Sequence, residues 1–181
     1  MVSFVDPDPM AFDINDIALA LSRQPRYGGH GKFFYSVAQH SVYVAYQAAP
    51  ENRLYALLHD AHEAYTGDIP GPLKELLGKG ILRIERRLQE AIHESLGLDR
   101  VPSVAVEEDI IRADKSLLYP EYHALYDEYI WSVNGVEPAK VEIEKMSMDN
   151  ARELFLAVYF TLRQRNVEVP TPRRLRNANQ G

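Results

Sequence analysis

His59 and Asp60 stand side by side in Leu57-Leu58-His59-Asp60-Ala61-His62-Glu63, an imidazole and a carboxylate embedded in apolar sequence. Left unpaired in a core, such groups cost roughly several kcal/mol, so the pair reads as two ligands of a divalent cation. A lone His-Asp dipeptide more often has side chains that point to solvent. Two further residues in similar surroundings change that balance. His40 lies in Tyr35-Ser36-Val37-Ala38-Gln39-His40-Ser41, and Asp114 lies in the otherwise apolar run from Ile110 to Leu118. Ordered as His, His-Asp and Asp, the set offers two nitrogen and two oxygen donors. That mixture suits Co, Mn, Zn or Fe and leaves open positions for water and a phosphate oxygen. The chain has no cysteine, so any ion is held by nitrogen and oxygen and no thiol nucleophile is available.

The ligands lie on segments with helical signatures, so helices must bring them together. Asp13 opens a helix that runs to about Arg23 with Ile17, Leu19, Ala20 and Leu21. Gln24 to Tyr35 contains Pro25, Gly28, Gly29 and Gly31, which disrupt regular structure but let backbone approach a ligand closely. Ser36 caps a second helix to about Ala48, with Val37, Val44 and Ala48 inward. Glu51 to about Tyr65 reads as one continuous third helix, with Leu54, Leu57, Leu58 and Ala61 on its core side. Thr66 to Pro72 breaks it, and a short turn follows from Leu73 to Leu77. Ile81 to Leu96 is periodic up to its stop at Gly97. Ser103 caps a further helix through Leu118, which Pro120 bends or restarts, and the Tyr-rich segment to Trp131 continues as helix or irregular structure. Asn150 to Arg165 is a last amphipathic helix. Met1 to Ala11 is expected to be an extended, capped arm, and the tail 167–181, with Arg173, Arg174 and Arg176, to be mobile. No repeat or alternating strand pattern appears. The expected fold is therefore all-α, a compact helical bundle forming a single domain over residues 1–181.

Composition narrows the partners. A net charge of -6 disfavours a general binder of polymeric nucleic acid, which needs a basic face. No run of about twenty apolar residues and no charged-then-apolar leader is visible, so the expectation is no membrane span and a cytoplasmic location, in a bacterium or a phage-infected host.

The ordered His40, His59-Asp60, Asp114 set resembles the HD-domain metal-dependent phosphohydrolase superfamily, whose members hold a divalent cation inside a helical bundle with such ligands. Glu63 and Asp68, in His59-Asp60-Ala61-His62-Glu63-Ala64-Tyr65-Thr66-Gly67-Asp68, match the H-D-x-x-E-x-x-T-G-D pattern of its small 5′-deoxynucleotidase branch. In that branch both acids handle the attacking water. An Arg-Trp pair there binds phosphate and flanks the nucleotide. Here the pair is Arg26-Tyr27, with Tyr in place of Trp and a spacing one residue shorter. Asp6-Pro7-Asp8-Pro9, the Phe12-to-Ala18 run, Tyr35 to Ser41 and Asp68-Ile69-Pro70-Gly71-Pro72-Leu73-Lys74 look most like the small phage and bacterial dATP triphosphohydrolases. The resemblance covers roughly residues 6 to 120.

What this implies is a metal-dependent hydrolase of deoxynucleotides, releasing deoxynucleoside and triphosphate from dATP or another dNTP. The nearest rival is a 5′-deoxynucleotidase acting on monophosphates. A third reading is a non-catalytic nucleotide sensor, against which the presence of both Glu63 and Asp68 argues. The implied metal ligands are His40, His59, Asp60 and Asp114, with Mg as a possible second ion. Glu63, on the same side of a continuous helix as His59 and Asp60, would orient or deprotonate water or deliver a proton. Asp68 would align the nucleophile or a substrate hydroxyl. Arg26, Tyr27, Lys74 and His30 are the substrate-binding candidates, with Lys32 and Lys115 as weaker cations. His62 reads as a ligand-supporting or surface group, and His93 and His123 as ordinary. Tyr119, Tyr122, Tyr126 and Tyr129 read as a packing or subunit-interface stripe rather than a base-stacking platform. The resemblance also implies a homo-oligomer, dimer or hexamer.

Overall fold

The computed structural model describes residues 2–126 and 135–164. Tyr129, Trp131 and the tail 167–181 lie outside them. The described residues form eight α-helices and no strand. In chain order these are α1 (Ile14–Arg23), α2 (Val37–Gln47), α3 (Arg53–Leu57), α4 (Glu63–Thr66), α5 (Gly71–Leu77), α6 (Lys79–Ser95), α7 (Val104–Tyr126) and α8 (Met148–Arg163). None is long and apolar enough to cross a membrane.

Helix starts follow the short polar side chains. Asp13 Oδ1 accepts the Asn15 N–H at 2.7 Å to open α1, and Ser147 Oγ accepts that of Asn150 at 3.1 Å to open α8. Ser36 does the same for α2, accepting the Gln39 N–H at 3.1 Å from a fully buried position. Removing that hydroxyl leaves a buried donor unsatisfied at the head of the helix that carries His40. Ser36→Ala is therefore expected to cost about 1–2 kcal/mol, lowering the melting temperature by about 2–8 °C in a circular-dichroism melt.

Helix α2 is the centre of the molecule. Every residue from Val37 to Ala45 is buried, the signature of a helix wrapped on all sides rather than one with an outer face. The inward positions suggested by its sequence, Val37, Val44 and Ala48, are part of this larger buried set. α1, α3, α7 and α8 pack around it. Ile17 and Leu21 of α1, Leu57 of α3, Leu117 of α7 and Phe155 and Val158 of α8 are all fully buried in that shared core. The N-terminal arm folds as a 3-10 turn over Pro9–Ala11 capped by Asp8, and Arg87 of α6 holds it through the Val5 carbonyl at 3.2 Å.

Two expected helices are built differently. The segment Glu51 to Tyr65 is not one helix: a 3-10 turn over Pro50–Asn52 leads into α3, which stops at Leu57, and successive turns carry the chain through 58–62 into α4. The cause is local. His59 Nδ1 donates to the Ala56 carbonyl at 2.8 Å, the acceptor that the Asp60 N–H would use in a continuous α-helix. Ala61 N–H and Glu63 N–H bond three residues back, to Leu58 and Asp60 carbonyls, so this stretch is wound more tightly. Past Leu118, α7 is continuous through Pro120 to Tyr126 rather than restarting there. The carbonyl that Pro120 leaves without its helical donor, that of Ser116, accepts the Ala139 N–H at 2.8 Å instead. Elsewhere the differences are at the starts: α6 begins at Lys79 rather than Ile81, and α8 at Met148 rather than Asn150, while Arg165, its expected end, lies outside the described residues.

Candidate functional site

His40 reaches the site from the middle of α2, His59 and Asp60 from the turns between α3 and α4, and Asp114 from α7. One donor atom each from His40, His59 and Asp60 lies within 4.8 Å of the others, a His-His-Asp cluster able to hold a metal ion. Asp60 Oδ2 is 3.1 Å from His59 Nε2 and 3.8 Å from His40 Nε2, and Asp114 Oδ1 is 3.2 Å from His40 Nε2. Three of the four sequence-derived ligands thus meet, and Asp114 approaches the set through His40.

The orientation of both rings fits an ion. His59 Nδ1 is committed to a carbonyl and must carry the hydrogen, which turns Nε2 toward Asp60. His40 Nδ1 is committed to the Glu121 carboxylate at 2.6 Å. Its Nε2 is buried without a hydrogen-bond partner, although two carboxylates stand within 3.8 Å. Donor atoms that converge in this way are the geometry of ligands around a shared point. Burial and Arg26 oppose a charge on His40, but Glu121 and Asp114 prevail and raise its pKa to about 9. The site therefore favours positive charge at that ring.

Asp60 and Asp114 open onto a cleft of about 590 Å³, lined also by Arg26, Tyr27, His30, Glu63, Asp68, Lys74, Tyr122 and Tyr126. All four substrate-binding candidates line it, whereas Lys32 and Lys115 do not. Two members of the tyrosine stripe, Tyr122 and Tyr126, form part of its wall. The Tyr27 ring meets both edge-on, at 5.5 and 6.0 Å between centroids.

The acids fall into two classes. Burial penalises the Asp60 carboxylate, but His59, His40 and Arg26 hold its pKa well below the usual range, and His40 does the same for Asp114 against its own burial. Those two remain anionic, as ligands must. Glu63, only 3% exposed, is raised to about 10 by burial and by Asp60 and Asp68. Its Oε2 has no hydrogen-bond partner, and its Oε1 lies 4.0 Å from Lys74 Nζ. Burial also raises Asp68. Glu63 faces the cleft because α4 begins there, not because a continuous helix carries it, which corrects the expectation drawn from helical spacing. The Gln24 carboxamide ties this corner together, donating to the Glu63 carbonyl at 3.2 Å and accepting the Asp68 N–H.

Sequence reasoning missed Glu121, the most enclosed charge of the site. It is fully buried on α7 and binds four groups: His40 Nδ1, Tyr35 Oη at 2.8 Å, Tyr27 Oη at 2.5 Å and the Arg26 guanidinium at 3.4 Å. Despite burial, Arg26 and His40 hold its pKa at about 2. A signal existed: Glu121 follows Asp114 by seven residues, two turns on the same face of one helix. Glu85 of α6 was missed as well, and it holds Lys74 Nζ at 3.0 Å. His62 touches none of the four ligands. It bonds Gln89 and stands 3.7 Å from Glu85, while His93 bonds the Arg100 carbonyl, an ordinary structural role.

No family model matches the chain. It is 47% identical over 94 residues to the uncharacterized protein YfdR of Escherichia coli K12, an alignment covering 52% of each chain. It is 38% identical over 122 residues to an uncharacterized protein of Rhodobacter capsulatus, covering 62% of each. The chain thus spans about half to three-fifths of the length of these curated relatives.

Proposed function

We propose that this protein is a divalent-metal-dependent phosphohydrolase of deoxynucleotides, of the HD-domain kind, cleaving a dNTP such as dATP into deoxynucleoside and triphosphate. The observation that carries this reading is the convergence of donor atoms from His40, His59 and Asp60, the last of which also lines a cleft with Arg26, Glu63 and Asp68. His40, His59, Asp60 and Asp114 would hold the ion, with Co, Mn, Zn or Fe the best match to two nitrogens and two carboxylates. When bound, the ion supplies a Lewis acid for water and a phosphate oxygen.

The remaining steps belong to the chain itself. Arg26 and Lys74 face the anionic phosphates. Water attacks the α-phosphorus, the bond from phosphorus to the 5′-oxygen breaks, and that oxygen takes up a proton. Glu63, whose surroundings favour the protonated acid, is the donor, and Asp68 accepts from the water. Tyr27, Tyr122 and Tyr126 present aromatic surface to the nucleoside.

One observation favours a second reading, a 5′-deoxynucleotidase: Lys74 is already neutralised by Glu85 at 3.0 Å, so little free positive charge remains for three phosphates. Incubating the protein with deoxy and ribo mono- and triphosphates in Co, Mn or Mg, and separating the products, decides between them. Triphosphate release from dNTP supports the first and orthophosphate from dNMP the second. No hydrolysis of any of them, with an ion bound, leaves a nucleotide sensor.

A further inference from the structure

Glu121 divides its two oxygens between two halves of the site. Oε1 accepts from His40 Nδ1 at 2.6 Å and Tyr35 Oη at 2.8 Å, both deep in the core. Oε2 accepts from Tyr27 Oη at 2.5 Å and Arg26 at 3.4 Å, both in the glycine-rich segment that borders the cleft. One carboxylate with no exposure thus joins a candidate metal ligand to the candidate phosphate-binding pair.

The segment it grips needs holding. Tyr27 has φ 54° and ψ 31°, and it is the one described residue other than glycine with positive φ. A side chain with a Cβ resists that left-handed conformation, so it persists only when its surroundings enforce it. The hydroxyl bond to Glu121 and the edge-on contacts with Tyr122 and Tyr126 do so. The following Gly28 and Gly29, at φ 60° and 77°, continue the turn without that resistance.

We propose that Glu121 is a positioning residue that couples ion binding at His40, His59 and Asp60 to the setting of the Arg26-Tyr27 turn. The inference rests on the metal-dependent reading above and adds a direction of influence. An ion on His40 Nε2 makes the Nδ1–H a stronger donor to Glu121, and a fixed Glu121 in turn fixes Tyr27 and Arg26. Linkage makes the effect reciprocal: whatever orders the turn also tightens the ion.

The test is calorimetric titration of Mn²⁺ alone, without nucleotide, into wild type, Glu121→Gln, Tyr27→Phe and the double variant. Tyr27 contacts no metal ligand in the hydrogen-bond network, and Phe keeps its ring packing. Loss of the carboxylate is expected to weaken Mn²⁺ binding by about 10–100-fold, the range for a group that orients a metal-bound histidine. Tyr27→Phe is expected to weaken it by about 3–10-fold, at the low end of allosteric couplings, and to add nothing in the Glu121→Gln background. Equal Mn²⁺ affinity in wild type and Tyr27→Phe overturns the coupling while leaving the metal site standing. No Mn²⁺ or Co²⁺ binding to wild type overturns the metal reading and the coupling together. Should Glu121→Gln fail to fold, Tyr27→Phe and Tyr35→Phe carry the same comparison, since each removes one hydrogen bond to Glu121 and leaves its charge in place.

Discussion

Asp60→Asn is expected to lower kcat by about 10³-fold or more and to abolish stoichiometric ion binding while the fold survives. Asp60 Oδ2 is the point on which the site converges, 3.1 Å from His59, 3.8 Å from His40 and 3.6 Å from Arg26. An amide there removes the anionic ligand and presents N–H groups where imidazole nitrogens and a guanidinium already crowd. About 10³-fold corresponds to roughly 4 kcal/mol of barrier, within what a Lewis acid contributes to a developing phosphate charge. The fold should hold because neither histidine depends on Asp60 for its orientation: Glu121 fixes one ring and the Ala56 carbonyl the other. Turnover with Mn or Co, metal content after desalting and a circular-dichroism spectrum check the three parts. Activity within about tenfold of wild type, in a variant that binds no ion, would remove the ion from the mechanism.

What could be read from the chain before its structure was known depended on how local the cause is. Asp13, Ser36 and Gly97 mark helix ends through bonds to residues within a few positions, and each lies where its type suggests. The His40, His59 and Asp60 cluster was legible because polar groups in apolar surroundings need a reason to be there. Glu121 failed this test only in appearance. It sits between Pro120 and Tyr122 in a tyrosine-rich stretch, and nothing near it announces that its partners lie 81 to 95 residues earlier. The break after Leu57 was hidden for a related reason. Periodicity through Leu54, Leu57, Leu58 and Ala61 suits a straight helix, and only the His59 ring, by taking the Ala56 carbonyl, winds the chain differently. At Pro120 the sequence left helix and irregular structure open, since the donor that satisfies Ser116 comes from Ala139, 23 residues further on.

The same separation of local from tertiary causes explains why like side chains do unlike work here. Asp60 and Asp114 share their site with imidazoles and stay ionised, whereas Glu63, a few residues from Asp60, faces other carboxylates and holds a proton. Environments that push neighbouring acids apart are how one cleft gains both an anionic ligand set and a proton donor.

Glu63→Gln should therefore separate stability from catalysis. In the ion-free protein, burial, then Asp60 and Asp68, raise the Glu63 pKa from 4.5 to about 10, with Arg26 and Lys74 only partly offsetting them. A raised folded pKa means that the folded chain holds a proton the unfolded chain releases. Its contribution to stability is complete below pH 4.5 and is lost as the pH climbs through about 10. Glutamine has the shape of the protonated acid and does not titrate. Without metal, the variant should melt with wild type near pH 4 and above it by a growing margin toward pH 8. An advantage on the order of 1–2 kcal/mol there corresponds to about 2–8 °C in a chain of this size. Added ion narrows the gap, because its positive charge favours the ionised acid. Turnover should move the other way, falling by about 10²–10⁴-fold as the transferable proton disappears. A variant that melts below wild type at pH 8 would show that Glu63 is not held protonated. Turnover near that of wild type would show that its proton is not the one delivered, and a stabilised but inactive protein is the outcome expected of a group placed for chemistry at the expense of the fold.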